Sequence, residues 1–466
     1  MRLHLLLGSA VAAALVTGAA ASTGGPVGPS VTAIGVDRAL TNYVPVAFSA
    51  AQAGQLSLRW SAKLDGAIHS APLYVTAEHV GTYVGGVVYV ATEAGSIYAL
   101  RARNGSTLWR RTVARPLTAC GTSFGITSSP VIDEQAHRLY TIGANGLLDA
   151  LDTRTGRVVP GWPVRVVKQP QLEYVWGGLQ LYAGSVYVGV ASYCDHAGAD
   201  GYVVAVDAAR AAVTHVFDVV PGPGNLGGVW GWGGLSIDPA ANRLYVATGN
   251  SIVHRNGNLI EDAGYAERVV ALTPALRPLA SWRRADSPGE IAGDADFGAA
   301  PLLFQPPGCP PLVSANSKNA YTYVWDRTKP DTPPLFKDEL GSTKSDDPFI
   351  GRPTYIPSLR EIVVAQAAFI QNGQSVRGLE AFTIDASCRF HSAWTVNVGG
   401  GPGPPALAVG GVVFWASPSA GLLVGVDAAT GQVAFSYHEG PAYGPLLWAG
   451  DLLVGGAEDG TLRAFG

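Results

Sequence analysis

Tyr98-Ala99-Leu100-Arg101 has seven relatives further along the chain: Asp149-Ala150-Leu151-Asp152, Val204-Ala205-Val206-Asp207, Val270-Ala271-Leu272-Thr273, Tyr323-Val324-Trp325-Asp326, Glu380-Ala381-Phe382-Thr383, Val424-Gly425-Val426-Asp427 and Arg463-Ala464-Phe465-Gly466. Their second residues recur at intervals of 39 to 66 positions. A period of about 40 to 50 residues, with four short strands to each copy, marks a β-propeller blade. Apolar residues alternate within each copy instead of recurring at i, i+3 and i+4, which excludes helical repeats of similar length. Eight copies predict an all-β, eight-bladed β-propeller.

Blade one reads as an inner strand from Ser70 to Tyr74, a second from Gly86 to Thr92, a third from Ser96 to Arg101 and a fourth from Thr107 to Val113. Glu93-Ala94-Gly95 and Arg103-Asn104-Gly105 supply turns, since Gly and Asn accept positive φ. The eighth copy reaches only its third strand by Gly466. Leu58-Arg59-Trp60-Ser61-Ala62 repeats the pattern of Thr107-Leu108-Trp109-Arg110-Arg111. The N-terminal strand is therefore expected to complete blade eight and close the ring, which removes open sheet edges. One domain over 55–466 follows, although 466 residues alone suggest two or three. With 59 Gly, 32 Pro and only 14% charged residues, the composition suits many short strands and turns.

Residues 1–21 belong to another category. Arg2 precedes the apolar run Leu3 to Val16, and Ala19-Ala20-Ala21 offers small residues for cleavage. That pattern predicts a secretory signal peptide cut near Ala21. Its apolar run is too short to span a bilayer, and no later segment approaches a spanning length. No Cys near the cleavage site invites a lipid anchor. Residues 22–54 read as a leader to the first strand. Export to the periplasm or exterior implies oxidising conditions, in which four Cys, an even number, can pair in three ways. Blade phase separates these: Cys120 precedes the inner strand of blade two and Cys194 follows the second strand of blade three, on one face. Cys309 and Cys388 fall in loops of the opposite face. Bridges Cys120–Cys194 and Cys309–Cys388 are expected, the alternative being four free buried thiols.

A net charge of −4 without a basic cluster argues against a nucleic-acid partner. The chain lacks Cys-x-x-Cys-His and His-Glu-x-x-His. Covalent haem and a zinc-protease helix are thereby unsupported.

Blade four holds Trp230-Gly-Trp232-Gly-Gly-Leu-Ser-Ile-Asp-Pro and then Leu244-Tyr-Val-Ala-Thr-Gly-Asn250. These stretches resemble the pyrroloquinoline quinone (PQQ) dehydrogenases, eight-bladed quinoproteins that include methanol, alcohol and polyvinyl alcohol dehydrogenases. The resemblance implies that Trp232, six residues before the Asp-Pro, lies flat under the quinone and that Asn250 binds Ca²⁺. Asp294-Ala-Asp296-Phe-Gly-Ala-Ala-Pro resembles the family segment carrying the catalytic base, which falls on Asp296. Ser317-Lys-Asn-Ala-Tyr-Thr-Tyr-Val-Trp-Asp-Arg327 resembles the segment with a basic partner of the quinone oxygens, which falls on Lys318. The matches come in the family's order and blade phase.

The chemistry asks for such a set on its own terms. A quinone needs a flat aromatic floor, a cation at the carbonyl it reduces, and a base for the substrate hydroxyl proton. Ca²⁺ needs several oxygens, carboxylates included. The family's third ligand is a Glu in blade three, but Ser192-Tyr-Cys-Asp-His-Ala-Gly-Ala-Asp200 has none and is about two residues longer. Asp195 is the best substitute, because the nitrogen of His196 suits a hard cation poorly. The family's adjacent Cys pair and the Arg that often follows it are also missing; Cys120 stands near that position, and a bridge to Cys194 would cover the same side of the cofactor. Taken singly, Trp232 also reads as interblade packing, Asn250 as a turn residue, Asp296 as a local cap and Lys318 as a solvated turn residue.

Two functions follow. One is an exported, PQQ- and Ca²⁺-dependent dehydrogenase that oxidises a small or polymeric alcohol and passes electrons to a separate acceptor such as a cytochrome c. The polyvinyl alcohol dehydrogenase type is nearest in length, and the loop from Ser251 to Glu267 would shape substrate access. The other is a non-catalytic propeller resembling the outer-membrane assembly scaffold BamB, which has no reason to bring Asp195, Asn250 and Asp296 together.

Overall fold

The computed structural model describes residues 28–284, 296–318, 321–339, 351–371, 374–400, 403–418 and 420–466. The expected signal peptide lies outside them, as do Asp294 and Ala295. Eight antiparallel sheets of four principal strands follow one another around a ring. Blades one to seven span 73–112, 131–165, 180–218, 235–283, 302–339, 354–397 and 407–438. Blade eight joins Leu447–Ala449, Leu452–Gly456 and Thr461–Phe465 to the N-terminal strand Leu58–Lys63, which closes the ring as expected. In blade one the third strand is Ser96–Arg101, as expected, whereas the inner strand is Leu73–Val80 and the second Tyr83–Ala91. These two stay paired as a longer hairpin out to Val80 and Tyr83, beyond the reach of the repeat pattern.

Burial explains the repeat. Third strands lie inside their blades, sandwiched between neighbouring blades, so Tyr202–Asp207 is buried over its first five residues, while the outer strand Ala212–Asp218 is exposed at all but one position. The small second residue of the motif, Ala99, Ala150, Ala205, Ala271, Ala381 or Ala464, is fully buried where adjacent blades meet. Outer-strand tryptophans latch blade eight to one, one to two and six to seven: the indole N–H groups of Trp60, Trp109 and Trp394 donate to the carbonyls of Ala102, Thr153 and Ala428 at 2.8, 2.8 and 2.7 Å. Each latch combines a large apolar contact with a satisfied polar tip.

Residues 28–44 wind once around the inner strands. Gly28 donates to Gly450 of blade eight, Val31 pairs with Tyr74 of blade one, and the carbonyls of Thr32, Arg38, Ala39, Thr41 and Asn42 accept from Ile132, Ile237, Leu303, Tyr355 and Ala408 in blades two, four, five, six and seven. Tyr43–Val44 then pairs in parallel with Leu407–Val409. Inner strands would otherwise present unpaired backbone groups to the channel, and this segment satisfies them. The described residues contain no helix long and apolar enough to cross a membrane.

Candidate functional site

In a four-stranded up-and-down blade, the connectors entering the inner strands and the turns joining second to third strands share one face. Two adjoining cavities open there. The smaller, about 170 Å³, is lined by Asp195, Asn250, Asp296, Lys318 and Cys194. The larger, about 270 Å³, is lined by Trp232, Phe124, Tyr443, His69 and Glu458. Trp176 and Trp230 border both.

Asp296 stands on the connector into blade five and Lys318 on that blade's second turn. The Lys318 amide donates to the Asp296 carbonyl at 2.8 Å, and Phe297 bridges to Ser317, so backbone pairing fixes both side chains. Lys318 Nζ lies 2.9 Å from Asp296 Oδ1, with side-chain exposures of 7% and 3%. The Trp230 indole N–H donates to Asp296 Oδ2 at 3.1 Å, and Lys318 Nζ sits 4.5 Å from the centre of the Trp230 ring. A charge pair removed from water persists only when each partner is satisfied in this way. Gly249 permits the approach, since a Cβ there would lie 2.7 Å from Asp296 Oδ2. Asn250 follows on the same turn of blade four. Asp195, at φ 49° on the blade-three turn, is exposed and accepts from the Ser192 hydroxyl at 3.3 Å.

Both expected disulfides are present, Cys120–Cys194 and Cys309–Cys388. Cys120 caps the hairpin of Leu117–Ala119 and Thr122–Phe124, and its bridge ties that hairpin to the loop bearing Asp195. Phe124 meets Trp176 edge-on at 5.1 Å, which forms an aromatic wall.

Trp232 belongs to the larger cavity rather than the smaller. Its indole N–H donates to the Tyr443 carbonyl at 3.1 Å, and its own carbonyl accepts from Arg352 Nη1 at 3.1 Å. Arg352, fully buried, also donates to the Leu40 carbonyl and the Asn42 side chain, linking the cavity floor to the inner ring formed by residues 28–44. Burial pushes its pKa down to about 9, with partial compensation from Asp37. Gly35, at φ 89°, leaves room for this guanidinium: a Cβ there would lie 2.8 Å from Nη2.

Sequence reasoning missed Trp176, Trp230 and the cluster at the far end of the larger cavity. There His69, on the connector into blade one, places Nδ1 2.9 Å from Glu93 Oε1 and Nε2 against the Glu458 carboxylate. Burial by itself would lower the pKa of His69, but the hydrogen bonds and charges of Glu458 and Glu93 outweigh it and raise the pKa to about 10. The imidazole is therefore cationic at neutral pH. These three residues come from blades one and eight, far apart in sequence, and none stands in a recognisable local motif.

The residues fit a planar quinone and a hard cation. Indoles of Trp176, Trp230 and Trp232 border the space for a flat ring system, and Asn250, Asp195 and Asp296 bring oxygen donors of the kind Ca²⁺ takes to the adjoining cavity. Among the described residues no three His, Cys, Asp or Glu side chains gather closely enough to hold a metal by themselves. A cation there would rely on the Asn250 amide oxygen and further oxygens.

The fold is an eight-bladed β-propeller, similar to those of PQQ-dependent dehydrogenases. A family profile described as outer membrane protein assembly factor BamB matches residues 47–216. The chain is 26% identical over 221 residues to a quinohemoprotein alcohol dehydrogenase, ADH-IIG, of Pseudomonas putida, covering 42% of this chain and 29% of that protein. It is 24% identical over 278 residues to a polyvinylalcohol dehydrogenase of a Pseudomonas species, covering 53% and 42%. The aligned stretches thus span less than half the length of these curated relatives. In three dimensions it resembles the quinohemoprotein alcohol dehydrogenase of Comamonas testosteroni, with a TM-score of 0.72 at 18% identity over 94% of this chain and 80% of the other. BamB of Moraxella catarrhalis gives a TM-score of 0.56 at 16% identity, over 88% and 97%. At such identities the structural likeness concerns the fold alone.

Proposed function

We propose that the protein is an exported quinoprotein dehydrogenase that oxidises an alcohol with PQQ and Ca²⁺. The observation that carries this reading is the grouping of Asp195, Asn250, Asp296 and Lys318 around one cavity beside a tryptophan-bordered slot. When bound, PQQ supplies the two-electron acceptor and Ca²⁺ the Lewis acid. Trp232 and Trp230 hold the flat ring system, and the Cys120–Cys194 bridge restrains the loops over it. Asp195, Asn250 and Asp296 hold the cation. Lys318 carries three donors, so one can remain on Asp296 while another meets a quinone oxygen. Asp296 Oδ2, already a hydrogen-bond acceptor from Trp230, takes the substrate hydroxyl proton. Two disulfides accord with an oxidising compartment, and the electrons leave to a separate acceptor such as a cytochrome c.

The match to the BamB profile supports a second reading, a binding scaffold without cofactor. A scaffold has no use for a sealed Lys318–Asp296 pair on a cavity wall. The test is dye reduction by the purified protein with PQQ, Ca²⁺ and a panel of small and polymeric alcohols, alongside Asp296→Asn. Turnover that falls at least about 1,000-fold in the variant supports the dehydrogenase, in line with loss of a general base together with a metal ligand. A wild-type protein that neither binds PQQ nor turns over supports the scaffold.

A further inference from the structure

The larger cavity ends on a cation whose two partners differ in kind. Glu93 is fixed: its side chain is 8% exposed, Oε2 accepts from the Gly125 amide at 2.6 Å, and Oε1 accepts from the Thr127 hydroxyl at 2.5 Å as well as facing His69. Glu458 is 35% exposed, stands on the second-to-third-strand turn of blade eight, and has a single side-chain partner among the described residues, His69. Tyr443, from the connector into blade eight, packs edge-on against the imidazole at 5.9 Å. One carboxylate thus holds the imidazolium in charge and direction, and the other occupies the nitrogen that faces an aromatic-lined space. An outside carboxylate can replace Glu458 there without leaving either ring nitrogen unpaired, and Glu458 is exposed enough to return to water.

We propose that His69 is the anion-reading residue of this cavity, donating from Nε2 to a carboxylate of a planar aromatic acid that displaces Glu458. The proposal deepens the quinone reading and rests on it for the identity of the acid, PQQ being a planar tricarboxylate; the class of ligand follows from the aromatic walls and the held cation. Charge-assisted hydrogen bonds of this type are the strong ones, and the two glutamates predict effects of opposite sign. Removing Glu458 removes a competitor, whereas removing Glu93 removes the anchor of the charge.

The test uses the full protein and tryptophan fluorescence, since Trp176, Trp230 and Trp232 border the cavity. Three probes are titrated: PQQ with Ca²⁺, quinoline-2,4-dicarboxylate, and uncharged quinoline. The expected result is that His69→Gln and Glu93→Gln weaken both acids by about 10- to 100-fold and Glu458→Gln tightens both, while quinoline binding stays unchanged. A His69→Gln affinity within twofold of wild type, or a Glu458→Gln variant that loses affinity along with His69→Gln, overturns the proposal. If PQQ fails to bind but the dicarboxylate binds in a His69-dependent way, the proposal stands and the quinone reading falls. If neither acid binds the wild type, both fall. Should His69→Gln not fold, the gain or loss of affinity in Glu458→Gln decides alone.

Discussion

At one end of the paired cavities Lys318 and Asp296 are 7% and 3% exposed, whereas at the other His69 and Glu458 keep 28% and 35%. Both ends are made from connectors and second-to-third-strand turns, and both pair a cation with carboxylates. The difference is what each pair can give up. The sealed pair has exchanged bulk water for the Trp230 indole and for each other, so removing a partner strands a buried charge. The open pair borders water, and its outer carboxylate can be replaced. The same residue chemistry serves as a rigid fixture in one place and an exchangeable contact in the other.

The comparison is most sharply strained by Lys318→Met, which leaves Asp296 buried opposite a thioether. Loss of about 3 to 5 kcal/mol is expected in denaturant unfolding; a loss under about 1 kcal/mol would mean that the two ends do not differ. Replacing both Cys120 and Cys194 by Ser, which opens a bridge across a sequence separation of 74, is expected to cost about 2 to 4 kcal/mol. The same exchange should loosen the Asp195 loop, read as faster proteolysis there than in the Cys309→Ser, Cys388→Ser control.

Two buried carboxylates, Glu361 in blade six and Glu439 just past blade seven, set a reference for pH. Burial raises Glu361 to about 8, opposed in part by the Trp394 indole, and raises Glu439 to about 7, opposed by Arg463, both from an ordinary 4.5. A folded pKa above the unfolded one means stability that is complete below about pH 4.5 and is lost as the pH climbs through 7 to 8. Thermal melting from pH 5 to 9 should therefore show a falling midpoint, and the double variant Glu361→Gln, Glu439→Gln should flatten it. The smallest effect belongs to Glu458→Gln, expected within about 0.5 kcal/mol of wild type in stability, as for exposed ion pairs. A larger loss would make the open end structural.

The blades were legible because their signal is periodic. Ala99 and its counterparts mark the third strand wherever two blades press together, and Trp60 and Trp109 share a strand pattern because both latch onto the next blade. The Cys pairings followed from blade phase, since face membership alternates with each loop. The ring of residues 28–44 was not legible: its pairing partners are backbone groups of inner strands, so side-chain pattern carries little trace of it. At the site, Asn250, Asp296 and Lys318 stand in stretches with a family likeness and line one cavity. His69, Glu93 and Glu458 come together only through ring closure, which brings blade eight beside blade one. Trp230 and Trp232, two residues apart, were separable only in space: one borders both cavities, the other only the larger.

Isothermal titration of the intact protein with PQQ, with and without Ca²⁺, tests the central claim most directly. One PQQ per chain, bound tightly only when Ca²⁺ is present and weakened in Asn250→Ala, is the predicted result. No heat of binding under either condition, from protein whose melting curve is intact, would contradict the assignment of these cavities to a quinone and its cation.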